Sequence, residues 1–280
     1  MLVTGASDGL GKVTARVLAQ RGAQVILLGR NGEKTERTRQ EIIAATGNQQ
    51  VDTALADMSS LAQVRRVAAE INAKYPRLDV LVNNAGALFK DKREVSVDGN
   101  ELTLATNYLG PFLLTSLLFD LLRSSPAARI VNVSSEGYRL SRPTLDDMQS
   151  EKRYSKEFEY GNTKLFNIMF TQELARRLRV HGIANVTTNA LQPGSVATGF
   201  GSHSRGWFMT LARLMPSRKT PEQGAETSVF LAADPSIATT SGGYFDKKKP
   251  LAVKHDFNTP ANAQRLWEIS EALTGTQFLA

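Results

Sequence analysis

Short apolar runs alternate with longer amphipathic stretches along most of this chain. Residues 1–4, 24–28, 51–56, 79–83, 129–134 and 185–191 are rich in Val, Ile and Leu and scarcely alternate with polar positions. That pattern predicts strands covered on both faces, as in a parallel sheet. Residues 12–20, 33–45, 61–74, 102–122 and 164–180 show helical periodicity. Strand–helix alternation of this length predicts βαβ crossovers and an α/β, doubly wound sheet with helices on both faces. Ligands on such sheets sit at the carboxyl ends of the strands, so the chemistry is expected just after each strand. No repeat, low-complexity tract or Pro/Gly/Ser linker divides the 280 residues. A single domain over 1–280 is expected.

Composition removes several classes. The absence of cysteine excludes disulfides, thiolate metal sites and cysteine nucleophiles. His181, His203 and His255 fall in unrelated contexts, so no metal site is expected. Lys and Arg number 34 against 27 Asp and Glu, a net charge of +7. The excess is scattered, with knots at Arg176, Arg177 and Arg179 and at 247–249, and neither knot carries interleaved aromatics for stacking bases. Nucleic acid is therefore not an expected partner. The longest apolar run, 109–122, is interrupted by Gly110, Pro111, Thr115, Ser116 and Asp120. It falls short of the roughly 18 residues that a membrane span needs. With no secretory signal at its start, the sequence predicts a cytoplasmic protein with no integral membrane segment.

The first strand is followed at once by Thr4-Gly5-Ala6-Ser7-Asp8-Gly9-Leu10-Gly11 and then a helix. One glycine permits the tight turn, another permits close backbone approach to a pyrophosphate, and Gly11 lets helix and strand pack closely. The helix N-terminus offers unpaired N–H groups and a positive dipole end to phosphates. This assigns Gly5, Ser7, Asp8, Gly9, Leu10 and Gly11 to dinucleotide binding.

The spacing T-G-x-x-x-G-x-G resembles that of the short-chain dehydrogenase/reductase family. Asn83-Asn84-Ala85-Gly86 stands after the fourth strand like that family's NNAG motif. Ser134-Ser135 closes the fifth strand, and Tyr160-Gly161-Asn162-Thr163-Lys164 supplies the Tyr-x-x-x-Lys pair. Pro193-Gly194 follows the sixth, with Thr198 four residues beyond Gly194. The match is closest to the retinol-dehydrogenase-like branch, including its relatives with WW domains. Residues 146–155 look like the insert that those enzymes carry before the catalytic Tyr. Residues 107–115 resemble their N-H-L-G-H-F-L-L-T helix, and Arg265-Leu266-Trp267 is similar to their C-terminal segment. Tyr108, Pro111 and Gln192 depart from the pattern, each standing where those relatives have histidine, and the N-terminal membrane anchor of the branch is not expected here.

The resemblance implies a Rossmann-type, mostly parallel seven-stranded sheet and a hydride transfer between a nicotinamide and a carbonyl or alcohol. Tyr160 is the expected acid/base. An ammonium about 5 Å from its phenol, at an effective dielectric of about 20, interacts by roughly 3 kcal/mol, enough to lower a pKa of about 10 by about two units. Lys164 lies four residues on, on the same helical face. Ser135 is expected to hydrogen-bond the substrate oxygen, with Ser134 structural, and Asn107 to hold a water connecting Lys164 to solvent. By the same resemblance Asn84, Ala85, Gly86, Pro193, Gly194, Val196 and Thr198 line the cofactor, as do Tyr160 and Lys164. Asp57 accepts from the adenine amino group, with Met58 against the ring.

After the second strand the chain reads Leu28-Gly29-Arg30-Asn31, with no acid until Glu33. An acid there grips a ribose 2′-hydroxyl, whereas Arg30 suits a 2′-phosphate. NADP(H) is therefore expected over NAD(H). Residues 198–216 include Phe200, Trp207, Phe208, Met209, Leu211, Leu214 and Met215. In this family the segment after Pro-Gly folds over the substrate, so an apolar lid implies a small lipophilic aldehyde, ketone or alcohol. Core packing and peripheral membrane contact, through the flanking Arg205, Arg213, Arg218 and Lys219, are the alternatives. A homodimer or monomer is expected, and a catalytically silent nucleotide-sensing or interaction protein on the same fold is the alternative function.

Overall fold

The computed structural model describes residues 1–194 and 219–279. Eight strands form one sheet: β1 (Leu2–Thr4), β2 (Val25–Gly29), β3 (Val51–Leu55), β4 (Val80–Asn83), β5 (Ala128–Val133), β6 (Val186–Gln192), β7 (Tyr244–Asp246) and β8 (Lys249–Pro250). Their spatial order is β3-β2-β1-β4-β5-β6-β7-β8. All neighbours are parallel except β7 and β8. The seven-stranded expectation is thus corrected by one strand. Lys247 and Lys248 both adopt positive φ, 49° and 64°, and reverse the chain into a two-residue antiparallel edge strand. The usual Asn-Gly signal for such a turn is absent, so the pattern does not announce it.

Strand side chains alternate between two cores. Val25 and Leu27 face one cluster, while Ile26 and Leu28 face the other. The first is closed by α1 (Gly9–Gln20), α2 (Gly32–Thr46) and, later in the chain, α8 (Pro221–Ala233). The second is closed by α3 (Leu61–Lys74), α5 (Gly110–Leu117), α6 (Phe119–Arg123), α7 (Lys156–Val180) and α9 (Pro260–Thr274). Burial on both faces explains why the strands read as near-continuous apolar runs. Trp267 of α9 is fully buried among Phe112, Phe170 and Phe278, and the Arg177 guanidinium stacks on its ring at 4.4 Å.

The helix expected over 102–122 is broken into pieces. After α4 (Leu102–Leu104) comes a π-helical turn, Ala105–Leu109, then α5, with a further break at Leu118 before α6. Two causes coincide here, one local and one between distant residues. Pro111 lacks the N–H that continues a helical ladder. A Cβ on Gly110 would lie 2.2 Å from the Met58 carbonyl oxygen, so only glycine permits this approach. In contrast α7 begins eight residues before the expected start at 164, where Ser155 caps the Phe158 N–H.

Topologically, the order reverses at β1, whose neighbours are β2 and β4. The crevice of a doubly wound sheet opens at the carboxyl ends of such strands. Among the described residues no helix is long and apolar enough to cross a membrane.

Candidate active site

The turn after β1 is tied to the end of β4 by the side chains of Thr4 and Asn84. The Thr4 hydroxyl donates to the Val82 carbonyl at 3.3 Å and accepts the N–H groups of Asn84 and Ala85, each at 2.9 Å. Asn84 Nδ2 donates to the carbonyls of Thr4, at 2.8 Å, and Gly5, at 3.4 Å. Asn84 and Ala85 therefore brace the glycine turn. Thr4, a small hydroxyl closing an apolar strand, is the organiser that sequence reasoning did not single out. Gly5 and Gly9 have φ of 63° and 49°, a region that disfavours side chains. A Cβ on Gly11 would lie 2.3 Å from the Gly5 carbonyl oxygen, which makes helix α1 pack on the turn only with glycine there.

At the mouth of this turn Asp8 caps α1, its Oδ1 accepting from the Gly9 N–H at 2.7 Å. Its Oδ2 meets the ammonium of Lys34, from the first turn of α2, at 2.5 Å. This ion pair holds the Asp8 carboxyl below the usual carboxylate range. Arg30 is largely exposed and lies 3.9 Å from Asp57. Asp57 Oδ1 accepts from both the N–H and the hydroxyl of Ser59, at 2.9 and 2.8 Å. Met58 is buried in the core beneath α5.

A second group converges on the carboxyl ends of β4 and β5. Tyr160 is 8% exposed, packs on Leu88, and is hydrogen-bonded by Ser135. The Ser135 hydroxyl also accepts from the Gly137 N–H at 3.1 Å, which caps the short 3₁₀ turn at Glu136–Leu140. A Cβ on Gly137 would lie 3.0 Å from Tyr160 Cε1, so this turn sits directly on the phenol ring. Lys164 is 3% exposed; its Nζ donates to the Val133 carbonyl at 3.0 Å and stands 5.4 Å from the Tyr160 ring centroid. Ser134 is structural, since its hydroxyl donates to the Lys164 carbonyl at 2.7 Å.

Asn107 belongs to the π-helical turn and is fully buried. Its amide embraces Ala87, accepting the N–H at 2.8 Å and donating to the carbonyl at 2.9 Å. Asn167 donates to the Asn107 carbonyl at 3.2 Å. A Cβ on Gly86 would sit 3.3 Å from both Asn107 Oδ1 and Lys164 Nζ, so Asn107 holds the strand-end loop against the lysine. Beside it runs a buried file that sequence reasoning missed. Asn83 donates to Thr115 and Asn132, and Asn132 donates to Thr171 and Thr188, tying β4, β5 and β6 to α5 and α7.

Burial dominates the electrostatics. It pushes the Tyr160 phenol up to about 12, the Ser135 hydrogen bond acting against it, and it pushes the Lys164 ammonium down to about 8. The expectation that the lysine lowers the phenol is thereby corrected for the protein alone. Removing both groups from water disfavours both charged forms, and that cost exceeds the benefit of their proximity. Glu159, immediately before Tyr160, was also missed. It is buried, receives hydrogen bonds from Ser150 and, at 3.0 Å, from Asn162, and burial raises its carboxyl to about 7.

The Pro193-Gly194 turn follows β6, with Gly194 at φ 79° and the Lys219 ammonium donating to the Pro193 carbonyl at 3.0 Å. Val196, Thr198 and the lid expected around 198–216 lie outside the described residues. Among the described residues no cluster of three or more His, Cys, Asp or Glu side chains could hold a metal.

The short chain dehydrogenase family matches residues 1–207. The chain is 40% identical over 291 residues to retinol dehydrogenase 14 of Mus musculus, covering 98% of this chain and 85% of that one. It is 41% identical over 277 residues to retinol dehydrogenase 11 of Homo sapiens, again covering 98% and 85%. Among solved structures, an uncharacterized protein from Mycobacterium Paratuberculosis matches with a TM-score of 0.80 at 31% identity, over 99% of this chain and 93% of its own. A short chain dehydrogenase from Shigella flexneri 2a str. 301, complexed with NADP, matches with a TM-score of 0.69 at 27% identity, over 89% of this chain and 96% of its own. The chain belongs to the short chain dehydrogenase family, on its retinol-dehydrogenase-like branch, and is an oxidoreductase acting on CH–OH groups.

Proposed function

We propose that the protein interconverts a lipophilic aldehyde or ketone and its alcohol, using NADP(H) in preference to NAD(H). The observation that carries this reading is the convergence of Ser135, Tyr160 and Lys164 at the carboxyl ends of β4 and β5, beside the glycine turn after β1.

The residues present fit a dinucleotide. The first N–H groups of a helix have no intrahelical acceptor; Asp8 takes that of Gly9, leaving Leu10 and Gly11 as donors for phosphates. Gly5, Ser7, Asp8 and Gly9 shape the turn, and Ala85 and Gly86 continue the wall. Pro193 and Gly194 lie on the nicotinamide side, and Arg30 and Asp57 at the adenosine end. When bound, the nicotinamide supplies or accepts the hydride.

The protein's part is protonic and positional. During carbonyl reduction Tyr160, a neutral phenol at physiological pH, gives its Oη proton to the substrate oxygen and becomes the tyrosinate; in alcohol oxidation that tyrosinate, supported by the Lys164 ammonium, takes the alcohol's proton. The Ser135 hydroxyl holds the same oxygen by a hydrogen bond. Lys164 anchors beside the phenol through the Val133 carbonyl and stabilises the tyrosinate once its proton has left. Asn107 positions the lysine by fixing Ala87 and the Gly86 backbone. Leu88 against Tyr160 gives the reacting face an apolar neighbour, and retinol, in the names of its relatives, is an apolar alcohol.

The test is a panel of apolar and polar aldehydes, ketones and alcohols, retinal and retinol included, followed by NADPH and NADH absorbance. Turnover of apolar members with NADPH is expected. Activity confined to polar substrates, or equal with both cofactors, contradicts the finer reading.

A further inference from the structure

His255 reaches across the fold to the turn that follows Ser135. It lies between β8 and α9, 114 residues beyond Ser141, and its Nε2 stands 2.9 Å from the Ser141 hydroxyl. The other ring nitrogen fixes the direction of that bond. Nδ1 accepts the Phe257 N–H at 3.2 Å, so the neutral ring keeps its proton on Nε2. His255 therefore donates to Ser141. The donor is itself braced. The Asn258 N–H closes a turn on the His255 carbonyl at 2.9 Å, and Asn262, in the first turn of α9, donates to the Phe257 carbonyl at 2.9 Å.

Ser141 ends the turn that begins at Ser135. Its N–H donates to the Tyr138 carbonyl at 3.0 Å, while the Gly137 N–H at the other end meets the Ser135 hydroxyl at 3.1 Å. This backbone lies directly on the helix that carries Tyr160. A Cβ on Gly161 would come within 2.9 Å of the Gly137 carbonyl oxygen and 3.0 Å of the Ser141 nitrogen. Such packing stops the turn from moving toward α7 but does not stop it from lifting away. Tyr138 packed on Tyr244, Asn162 accepting the Arg142 N–H at 2.8 Å, and His255 on Ser141 oppose that motion. Ser141 is buried, so water does not readily replace a lost donor there.

We infer that His255 is a positioning residue for hydride transfer: by holding Ser141 it fixes the turn that orients the Ser135 hydroxyl and bounds the Tyr160 ring. This role rests on the parts proposed above for Ser135 and Tyr160.

Two partial mimics of histidine separate the two bonds of the ring. In His255→Gln the side-chain amide nitrogen can donate to Ser141 from the place of Nε2. In His255→Asn the side-chain oxygen accepts the Phe257 N–H, as in an Asx-turn, and nothing reaches Ser141. With an apolar aldehyde and NADPH, His255→Asn and Ser141→Ala are each expected to lower kcat by roughly tenfold or more, as for a displaced catalytic geometry. The NADPH dissociation constant stays unchanged, His255→Gln restores most of the rate, and the losses of His255→Asn and Ser141→Ala do not add in the double variant. Amide hydrogen exchange over residues 136–142 is expected to quicken in His255→Asn and Ser141→Ala and to stay as in wild type in His255→Gln. The reverse ranking, with Asn preserving the rate and Gln losing it, makes His255 a brace of its own loop and overturns the inference. Unchanged exchange over 136–142 in both His255→Asn and Ser141→Ala overturns it whatever the substrate. Ser135→Ala at wild-type turnover overturns the Ser135 reading and this inference with it. A Ser135→Ala enzyme that loses turnover, beside His255→Asn and Ser141→Ala at the wild-type rate, overturns this inference alone.

Discussion

The ammonium of Lys164 lies 5.4 Å from the centre of the Tyr160 ring and hydrogen-bonds the Val133 carbonyl at 3.0 Å. The pair is thus preformed, but it is a pair of buried groups, and each is driven toward its neutral state. The phenol of the cofactor-free protein therefore stays protonated well above an ordinary tyrosine. Ultraviolet titration of wild type against Tyr160→Phe measures this. No phenolate difference signal is expected up to about pH 10, the ordinary value. Half-titration at or below that pH contradicts the burial argument.

Glu159 gives a pH prediction of opposite sign to the usual carboxylate. Its folded pKa of about 7 lies above the reference value of 4.5, so folding favours the protonated form. Its contribution to stability is present at acid pH and is lost as pH rises from about 4.5 to about 7. Glu159→Gln retains an oxygen to accept from Ser150 and Asn162 and carries no charge. The melting temperature of the variant is expected to exceed that of wild type at pH 8 and to match it at pH 4.5. An equal difference at both pH values contradicts this.

Gly11→Ala tests the turn. The new methyl would meet the Gly5 carbonyl at 2.3 Å and Asn84 Nδ2 at 2.5 Å, so backbone has to move. Displacement of about 1 Å in a positioned site can cost a hundredfold. Thermal-shift titration with NADP⁺ is expected to show an affinity at least tenfold weaker than wild type, and wild-type affinity contradicts the packing account.

How much of this was legible in the chain follows from how the elements are buried. β2 and β4 lie under helices on both faces, so their apolar runs announce themselves. The Tyr160–Lys164 pair is legible because both residues share one helix face at a four-residue spacing. The first two turns of α7 are not, because Lys156, Glu159, Asn162 and Thr163 are polar yet buried, which erases the apolar stripe that marks a helix. The π-helical turn is likewise hidden, since one of its two causes, the approach of Gly110 to Met58, is a contact between distant parts of the sequence. The role of Thr4 depends on β4 lying beside β1, which no local pattern states.

Arg30→Ala addresses cofactor choice at the end of β2. Its side chain is 74% exposed and pairs with Asp57 at 3.9 Å, so its removal leaves the core intact. NADP⁺ affinity is expected to fall about tenfold to a hundredfold, as for loss of one charge-assisted contact of about 1.5–3 kcal/mol, with NAD⁺ little affected. Equal loss for both, measured by calorimetry, makes Arg30 structural.

The central claim is that Tyr160 moves the proton. Phenylalanine preserves the ring packed against Leu88 and Gly137 and removes only the hydroxyl. The measurement is single-turnover reduction of an apolar aldehyde by Tyr160→Phe with NADPH prebound, alongside the cofactor dissociation constant. The account predicts near-unchanged cofactor affinity with the hydride-transfer rate lowered by far more than tenfold. A rate within tenfold of wild type, about 1.4 kcal/mol in barrier, contradicts it.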